Sequence, residues 1–496
     1  MVDYHALMLW NDLREYIDRM RERGDVTDVP GAHWDLEIGA ISELMIERGG
    51  PALLFDDIPD YPRGYRILCN ADRMANKLAI ALGLNPNASL AEMAEEWNRA
   101  SRDYKAIPPE VQATGPVMEN VMTGPDINLW KFPTPKWHEM DGNRYIGTGD
   151  CVIQKDPDTG FVNVGTYRVA VHDDKTALIF MNAYNHGDII RRKYWDRGEK
   201  APVVVSCGQE PILSFLASST VLYCPENVSE LEVAGYFHKS PYPVILGPVT
   251  GLPMPATAEI VIEGYIPTPD QVLIPEGPFG EYTGYYAHGR TPETAIEISA
   301  IYHRNDPILF GMPPVRPISA LHRLAEVDLG TKRRLEQAGI PGIQGVITLS
   351  LTFKVVSMRQ MYDEHVEDVI RVLEPGGLHR TGNHIWVLVD EDIDIFSTQE
   401  VLWAMATRTI PHRGVRVVEG TATDQLDPRV PPGERADPKL AHTSSDRGRS
   451  TFRADSLIIN ACRPYEWKDE FPVVNVNSSE LRQSIEQKWR HLFAGL

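Results

Sequence analysis

Residues 149–173 read GDCVIQKDPDTGFVNVGTYRVAVHD, two runs of strand-forming residues on either side of the turn sequence DPDTG. Branched side chains flanking a proline-and-glycine turn predict a β-hairpin. Further apolar runs follow at 202–208 (PVVVSCG), 241–247 (PYPVILG), 258–266 (AEIVIEGYI) and 295–303 (AIEISAIYH). Short strands closed by glycine turns predict a barrel or sandwich over 116–318, and a barrel can bury a flat cofactor at its mouth.

On either side the pattern changes to alternating helix and strand. LEIGAISELMIERGG (36–50) has helical spacing closed by Gly49 and Gly50, and PALLF (51–55) follows as a buried strand. The proline-rich stretch 106–121 lacks either period, which sets a first boundary near 115. Beyond 319, the strands GVITLSLTF, HIWVLVDED and GVRVVEG alternate with the helices MYDEHVEDVIRVL and TQEVLWAMATR. Such alternation predicts a second α/β layer with parallel strands. Residues 424–450 are polar and proline-rich, as in a surface arm. The final helix, 477–493, begins with Asn477 followed three residues later by Glu480, a capping-box pattern, and is a candidate for contact with another subunit. The expected fold is therefore α+β and multidomain: an N-terminal α/β domain (1–115), a central barrel domain (116–318) and a C-terminal α/β domain with an oligomerisation helix (319–496).

Composition narrows the function. A chain of 496 residues exceeds what one core holds. A formal charge of −20 repels phosphate backbones, which argues against nucleic-acid binding. Five scattered cysteines form no C-x-x-C pair, consistent with a reducing cytoplasm, and no uninterrupted apolar stretch is long enough for a membrane span.

Four segments can carry chemistry. In IPEGPFGEYTGYYAHGR (274–290), Glu276 and Glu281 flank a Gly-Pro-Phe-Gly loop, so two carboxylates are held close and their proton affinities can be driven apart. A solvated acidic turn is the alternative. In NVGTYR, Asn163 and Arg168 are five apart and face opposite sides of a regular strand, so a twist or bulge is required to bring both into one site. Arg168 can pair with a carboxylate and Asn163 can offer an amide oxygen to a metal, although for this segment alone an edge-strand salt bridge is the plainer reading. In MNAYNHGDIIRRKYW (181–195), His186 stands at a strand end, where a histidine is also commonly just exposed. In SELEVAG (229–235), Glu230 and Glu232 open a helix and only one of them can face inward. Asn, His and Glu together form a mixed oxygen and nitrogen set that suits Mn2+ better than zinc or calcium.

Taken in order, NVGTYR, the NHG segment, SELEVAG, PATAEIVIEGY (255–265) and EGPFGEYTGYY resemble the successive signatures of the UbiD family of reversible decarboxylases; GGPALLF, EDID and WAMATR also look like family segments. The resemblance implies a central split β-barrel that binds prenylated FMN, with a divalent metal, and often K+, holding its phosphate. It implies Asn163, His186 and Glu230 as metal ligands. Glu230 rather than Glu232 follows from counting back without a gap from PATAEIVIEGY; counting back from Glu281 favours Glu232. Thr166, Tyr167, Arg168, Met181, Asn182, Ala183, His186 and Gly187 become cofactor-binding, and Arg168, Glu276 and Glu281 the catalytic network. Some relatives carry arginine where His186 stands and aspartate where Glu281 stands, which points away from ubiquinone-pathway substrates toward small aromatic, heteroaromatic or cinnamate-like acids.

The reaction so implied is non-oxidative, reversible loss of CO2 through a covalent cofactor adduct, with Glu281 as proton donor. A flavin prenyltransferase would supply the cofactor, and a homodimer or homohexamer would be the assembly. The segment TPKWHEMDGNRYIGTG (134–149) resembles that of pyrrole- and furan-carboxylate enzymes, which favours a heteroaromatic acid. His288, Arg290 and Arg316 can read a second polar group on the substrate or be solvated loop charges. The competing classes are a two-carboxylate hydrolase, an FMN-dependent oxidoreductase on the same barrel, and a non-catalytic assembly subunit.

Overall fold

The computed structural model describes residues 11–71, 75–102, 105–182, 185–218, 228–316, 328–350, 352–374, 384–435 and 452–493. The hairpin expected around the turn DPDTG is present: Cys151–Lys155 pairs antiparallel with Val162–Gly165, Gln154 standing opposite Asn163. These strands are one end of a curled ten-stranded sheet. Its path runs from Arg144–Gly147 through Val169–Val171, Thr176–Ile179, Thr291–His303, Ile260–Ile266 and Ala201–Cys207 to the hairpin. The thirteen-residue strand Thr291–His303 is its spine, pairing also with Leu273–Glu276 and Asn120–Thr123. Period-two alternation sends Val152, Val203, Val205 and Cys207 into one core, and Cys151, Ile153 and Val204 into another.

The N-terminal helix Glu37–Glu47 and buried strand Ala52–Asp56 form where the apolar spacing placed them, with Gly49 at positive φ after the helix. This sheet takes its fourth strand, Ile308–Gly311, from the far end of the central segment, parallel to Arg66–Cys69. Buried Glu259 ties the same regions together, accepting from Arg14 Nε and Nη2 at 2.8 Å each and from Arg304 Nη1 at 3.3 Å. Of the strands expected in the central segment, Pro243–Leu246 instead joins a separate three-stranded sheet.

The C-terminal sheet is mixed rather than parallel throughout. Ile343–Ser350 and Phe353–Met358 form an antiparallel hairpin, so the run GVITLSLTF is broken by a turn. Ile385–Asp390 and Arg453–Asn460 then continue in parallel, and Val415–Ala422 closes the edge antiparallel. The C-terminal helix Ser479–Lys488, followed by the short helix Arg490–Phe493, is capped by Ser478, whose hydroxyl accepts from Leu481 N at 3.2 Å, not by Asn477. It buries none of its residues, and Leu481, Ile485, Trp489 and Leu492 stand exposed along it and just beyond. Among the described residues no helix is long and apolar enough to cross a membrane.

Candidate active site

The strand carrying Asn163 stops at Gly165, and the chain resumes as a strand only at Val169. This break separates Asn163, on the first strand, from Arg168, which stands just before the second, so the two serve different clusters. Arg168 meets Glu276 in a two-pronged ion pair, Nε to Oε1 at 3.1 Å and Nη2 to Oε2 at 2.7 Å, and its Nη1 donates to Glu281 Oε1. The guanidinium lies over the Phe180 ring, 3.9 Å from its centroid, with Phe279 at 5.2 Å. Tyr145 donates its hydroxyl to Glu276 Oε1 at 2.7 Å. Glu276 and Glu281 are only 1% and 5% exposed, which excludes the solvated acidic turn.

One guanidinium therefore serves two carboxylates. Burial, with Glu276 and Asp424 adding repulsion, pushes the Glu281 carboxyl up to about 7 against the pull of Arg168. Arg168 itself is lifted above its ordinary value, because Glu281 and Glu276 outweigh its burial. Glu293, whose Oε1 accepts from Thr291 Oγ1 at 3.1 Å, is also raised to about 7, chiefly by burial.

The loop bearing both glutamates is cradled by residues 141–143. Gly277 N donates to Asn143 Oδ1 at 3.0 Å, Gly280 N to Asp141 Oδ1 at 3.3 Å, Tyr286 Oη to the same oxygen at 3.2 Å, and Gly142 N to Pro278 O at 2.8 Å. A Cβ at Gly142 would stand 1.9 Å from Gly277 O, so only glycine permits this approach. Gly277 takes φ +86° and the Gly277–Pro278 peptide is cis.

The second cluster lies at the other end of the NVGTYR segment. Glu230 Oε2 accepts from Val164 N at 2.8 Å, which brings it beside Asn163. Glu232 is spent differently: its Oε2 accepts from Ser229 N at 3.0 Å, completing the capping box of helix Glu230–His238. Burial pushes the Glu230 carboxyl up to about 7. His186 opens the helix His186–Trp195 and is exposed, with Phe161 edge-on at 6.0 Å. Gly187 N donates to Tyr167 Oη at 3.1 Å, joining that helix end to NVGTYR. Asn163 Nδ2 and Asn182 Oδ1 are buried without partners among the described residues. A buried carboxyl short of positive charge and unpaired amides fit a cation and a polar cofactor. No group of three His, Cys, Asp or Glu gathers among the described residues, so a metal here depends on the asparagine.

Thr166 donates to Asp150 O at 3.0 Å, Met181 is buried, and Ala183 lies outside the described residues. His288 packs near Phe180, ring centroids 6.4 Å apart, and is held down to about 4 by burial and by Arg168 and Arg435. Arg290 and Arg316 are exposed. The sequence reading missed Tyr145, Phe180 and Phe279, which look like ordinary core residues, and Asp141 and Asn143, which were quoted only as part of a substrate segment.

Three family models cover most of the chain: the N-terminal domain of 3-octaprenyl-4-hydroxybenzoate carboxy-lyase (UbiD) over 17–97, its Rift-related domain over 109–317 and its C-terminal domain over 330–446. A phenolic acid decarboxylase of Streptomyces sp. (strain D7) is 30% identical over 441 residues, covering 86% of this chain and 90% of that one. The pyrrole-2-carboxylic acid decarboxylase of Pseudomonas aeruginosa is 28% identical over 505 residues, covering 96% and 97%. Among solved structures, the vanillic acid decarboxylase of Sedimentibacter hydroxybenzoicus in closed form superposes with a TM-score of 0.81 at 26% identity, over 98% of this chain and 99% of that one. A UbiD-class enzyme from Pelotomaculum thermopropionicum, solved with FMN, shares the fold with a TM-score of 0.78 at 24% identity, over 95% and 98%. The chain belongs to the UbiD family and is a carboxy-lyase, a UbiD-type decarboxylase.

Proposed function

We propose that this protein decarboxylates a small aromatic acid, of the heteroaromatic class, with Glu281 supplying the proton. The observation that carries the reading is a buried carboxyl raised to about 7 beside an arginine already engaged by a second carboxylate. Loss of CO2 from a carboxylate consumes one proton per turnover, and Glu281, raised to about 7 and in direct contact with Arg168, can hold one at neutral pH. Arg168 holds Glu276 in a two-pronged pair and orients Glu281, while Phe180 and Phe279 exclude water from the pair.

In this reading the curled sheet is the split barrel of a central domain, 116–318, between N-terminal and C-terminal domains. Prenylated FMN, when bound, supplies the electron sink that takes the pair left behind by CO2. Thr166, Tyr167, Met181, Asn182, Ala183 and Gly187 would line its seat. Asn163, His186 and Glu230 would hold Mn2+ against its phosphate, with K+ as a second cation. Similarity to the pyrrole-2-carboxylic acid decarboxylase over 96% of the chain supports a heteroaromatic substrate. The exposed apolar stripe of the last helix supports assembly as a homodimer or homohexamer. A flavin prenyltransferase would load the cofactor in the cytoplasm.

The test is CO2 release by Glu281→Gln, with flavin content measured on the same sample. The variant should keep its flavin and lose turnover by about a hundredfold or more, within the range of general acid catalysis. Wild-type rates in a flavin-loaded Glu281→Gln protein would remove Glu281 from the role.

A further inference from the structure

Asp424 lies 142 residues along the chain from Tyr282, just beyond the strand Val415–Ala422, yet the Tyr282 hydroxyl donates to its Oδ2. Its other oxygen accepts from Leu426 N at 2.7 Å, and the side chain is buried, the residue being 2% exposed. A carboxylate so far out of water must be satisfied by the donors it has, and one of its two is the residue next to Glu281.

The contact is not isolated. Leu426 packs with Phe180 and Ala287, and Phe180 is the ring beneath the Arg168 guanidinium. Arg435 Nη1 donates to Ala287 O at 2.6 Å. The neighbouring Asp427 is itself fixed, accepting from Thr423 Oγ1 at 2.6 Å and Arg429 Nη2 at 2.8 Å, with His384 Nε2 at 2.9 Å. Asp141 and Asn143 hold the glutamate loop from one side, at Gly277, Gly280 and Tyr286; Asp424 holds it from the other, at Tyr282.

We propose that Asp424 is a positioning residue of the decarboxylation: by gripping Tyr282 it fixes the tight turn that presents Glu281, so the C-terminal part of the chain sets the place of the proton donor. The inference rests on Glu281 as that donor. The turn is short, with Glu281 N donating to Tyr285 O and Gly284 N to Glu281 O, each at 2.9 Å, so a shift at Tyr282 moves Glu281 with it. A displacement of about 1 Å of a reacting group costs on the order of a hundredfold in rate.

Asp424 also acts through charge. The groups facing Glu281 are the Arg168 guanidinium, Glu276 and Asp424, and Asp424 helps to keep the proton on Glu281. The groups facing Asp424 are Tyr282, Asp427 and His384.

The experiment compares flavin-loaded wild type, Asp424→Ala, Asp424→Asn, Tyr282→Phe and Glu281→Gln on whichever of pyrrole-2-carboxylate, vanillate and 3,4-dihydroxybenzoate the wild type turns over. Flavin and metal content, kcat, KM and the pH profile of kcat are measured, together with hydrogen–deuterium exchange over 279–290, which needs no substrate. With full flavin, Asp424→Ala and Tyr282→Phe should lose about ten- to a hundredfold in kcat with little change in KM, and exchange should quicken. Asp424→Asn, still able to accept from Tyr282, should retain more turnover, with the alkaline fall of kcat moved to lower pH. Unchanged kcat and exchange in both Asp424→Ala and Tyr282→Phe, or activity that falls only in step with flavin loss, would overturn the proposal. An inactive Glu281→Gln beside normal Asp424 variants sinks this inference alone; an active Glu281→Gln sinks the proton-donor reading instead.

Discussion

The Glu281 carboxyl is pushed up to about 7 for a countable reason: it is buried, and two carboxyl groups share one arginine. An arginine in contact ordinarily lowers a carboxyl by about 1–3 pH units. Here its two-pronged face is turned to Glu276, leaving one nitrogen for Glu281, and burial outweighs that remaining attraction. The sign of the pH dependence follows. In the proposed role Glu281 carries its proton, as a neutral carboxyl, below about 7 and loses it above, so kcat should be flat on the acid side and fall as pH rises through about 7. A kcat profile rising through neutrality would mean that a base limits turnover. Little of this balance is legible in sequence: the spacing of Glu276 and Glu281 on an irregular loop is visible, but Tyr145, Phe180 and Phe279 carry no local mark of their task.

At the scale of elements, helix Glu230–His238 explains how two nearly adjacent glutamates divide their work. Glu232, at the third helical position, turns back to its own N-cap at Ser229, while Glu230 at the first position reaches across to strand Val162–Gly165. The sequence narrowed the choice to one inward-facing glutamate, and two ways of counting disagreed over which. Capping geometry gives them different partners, which supports Glu230. Glu230→Ala should therefore lower the bound divalent metal, read by mass-spectrometric metal analysis. Glu232→Ala should leave metal content intact and cost about 1 kcal/mol of stability, the usual worth of a cap, read by urea denaturation. The reverse pattern would exchange their roles. The NVGTYR strand gives a second lesson, for the twist that periodicity demanded is a full break after Gly165, between two strands that keep different partners.

Across the whole molecule, alternating and period-two patterns foretold which segments are strands and helices better than they foretold partners. The strand Ile308–Gly311 leaves the central segment to complete the N-terminal sheet, and Asp424 crosses from the C-terminal part to the glutamate loop. Both are long-range choices settled by packing and buried charge, which no local window records. The same interleaving makes the site a property of the entire chain: the break between two strands of the curled sheet supplies Arg168, a loop supplies Glu281, and the C-terminal stretch touches that loop at Tyr282 and packs on Phe180.

The most direct test of the account is the identity of the flavin in protein co-produced with a flavin prenyltransferase, read by mass and absorbance alongside CO2 release from the acid panel. A UbiD-type decarboxylase should carry prenylated FMN, and CO2 release should be missing when the prenyltransferase is left out. Plain FMN with redox turnover, or CO2 release from protein carrying no flavin, would contradict it.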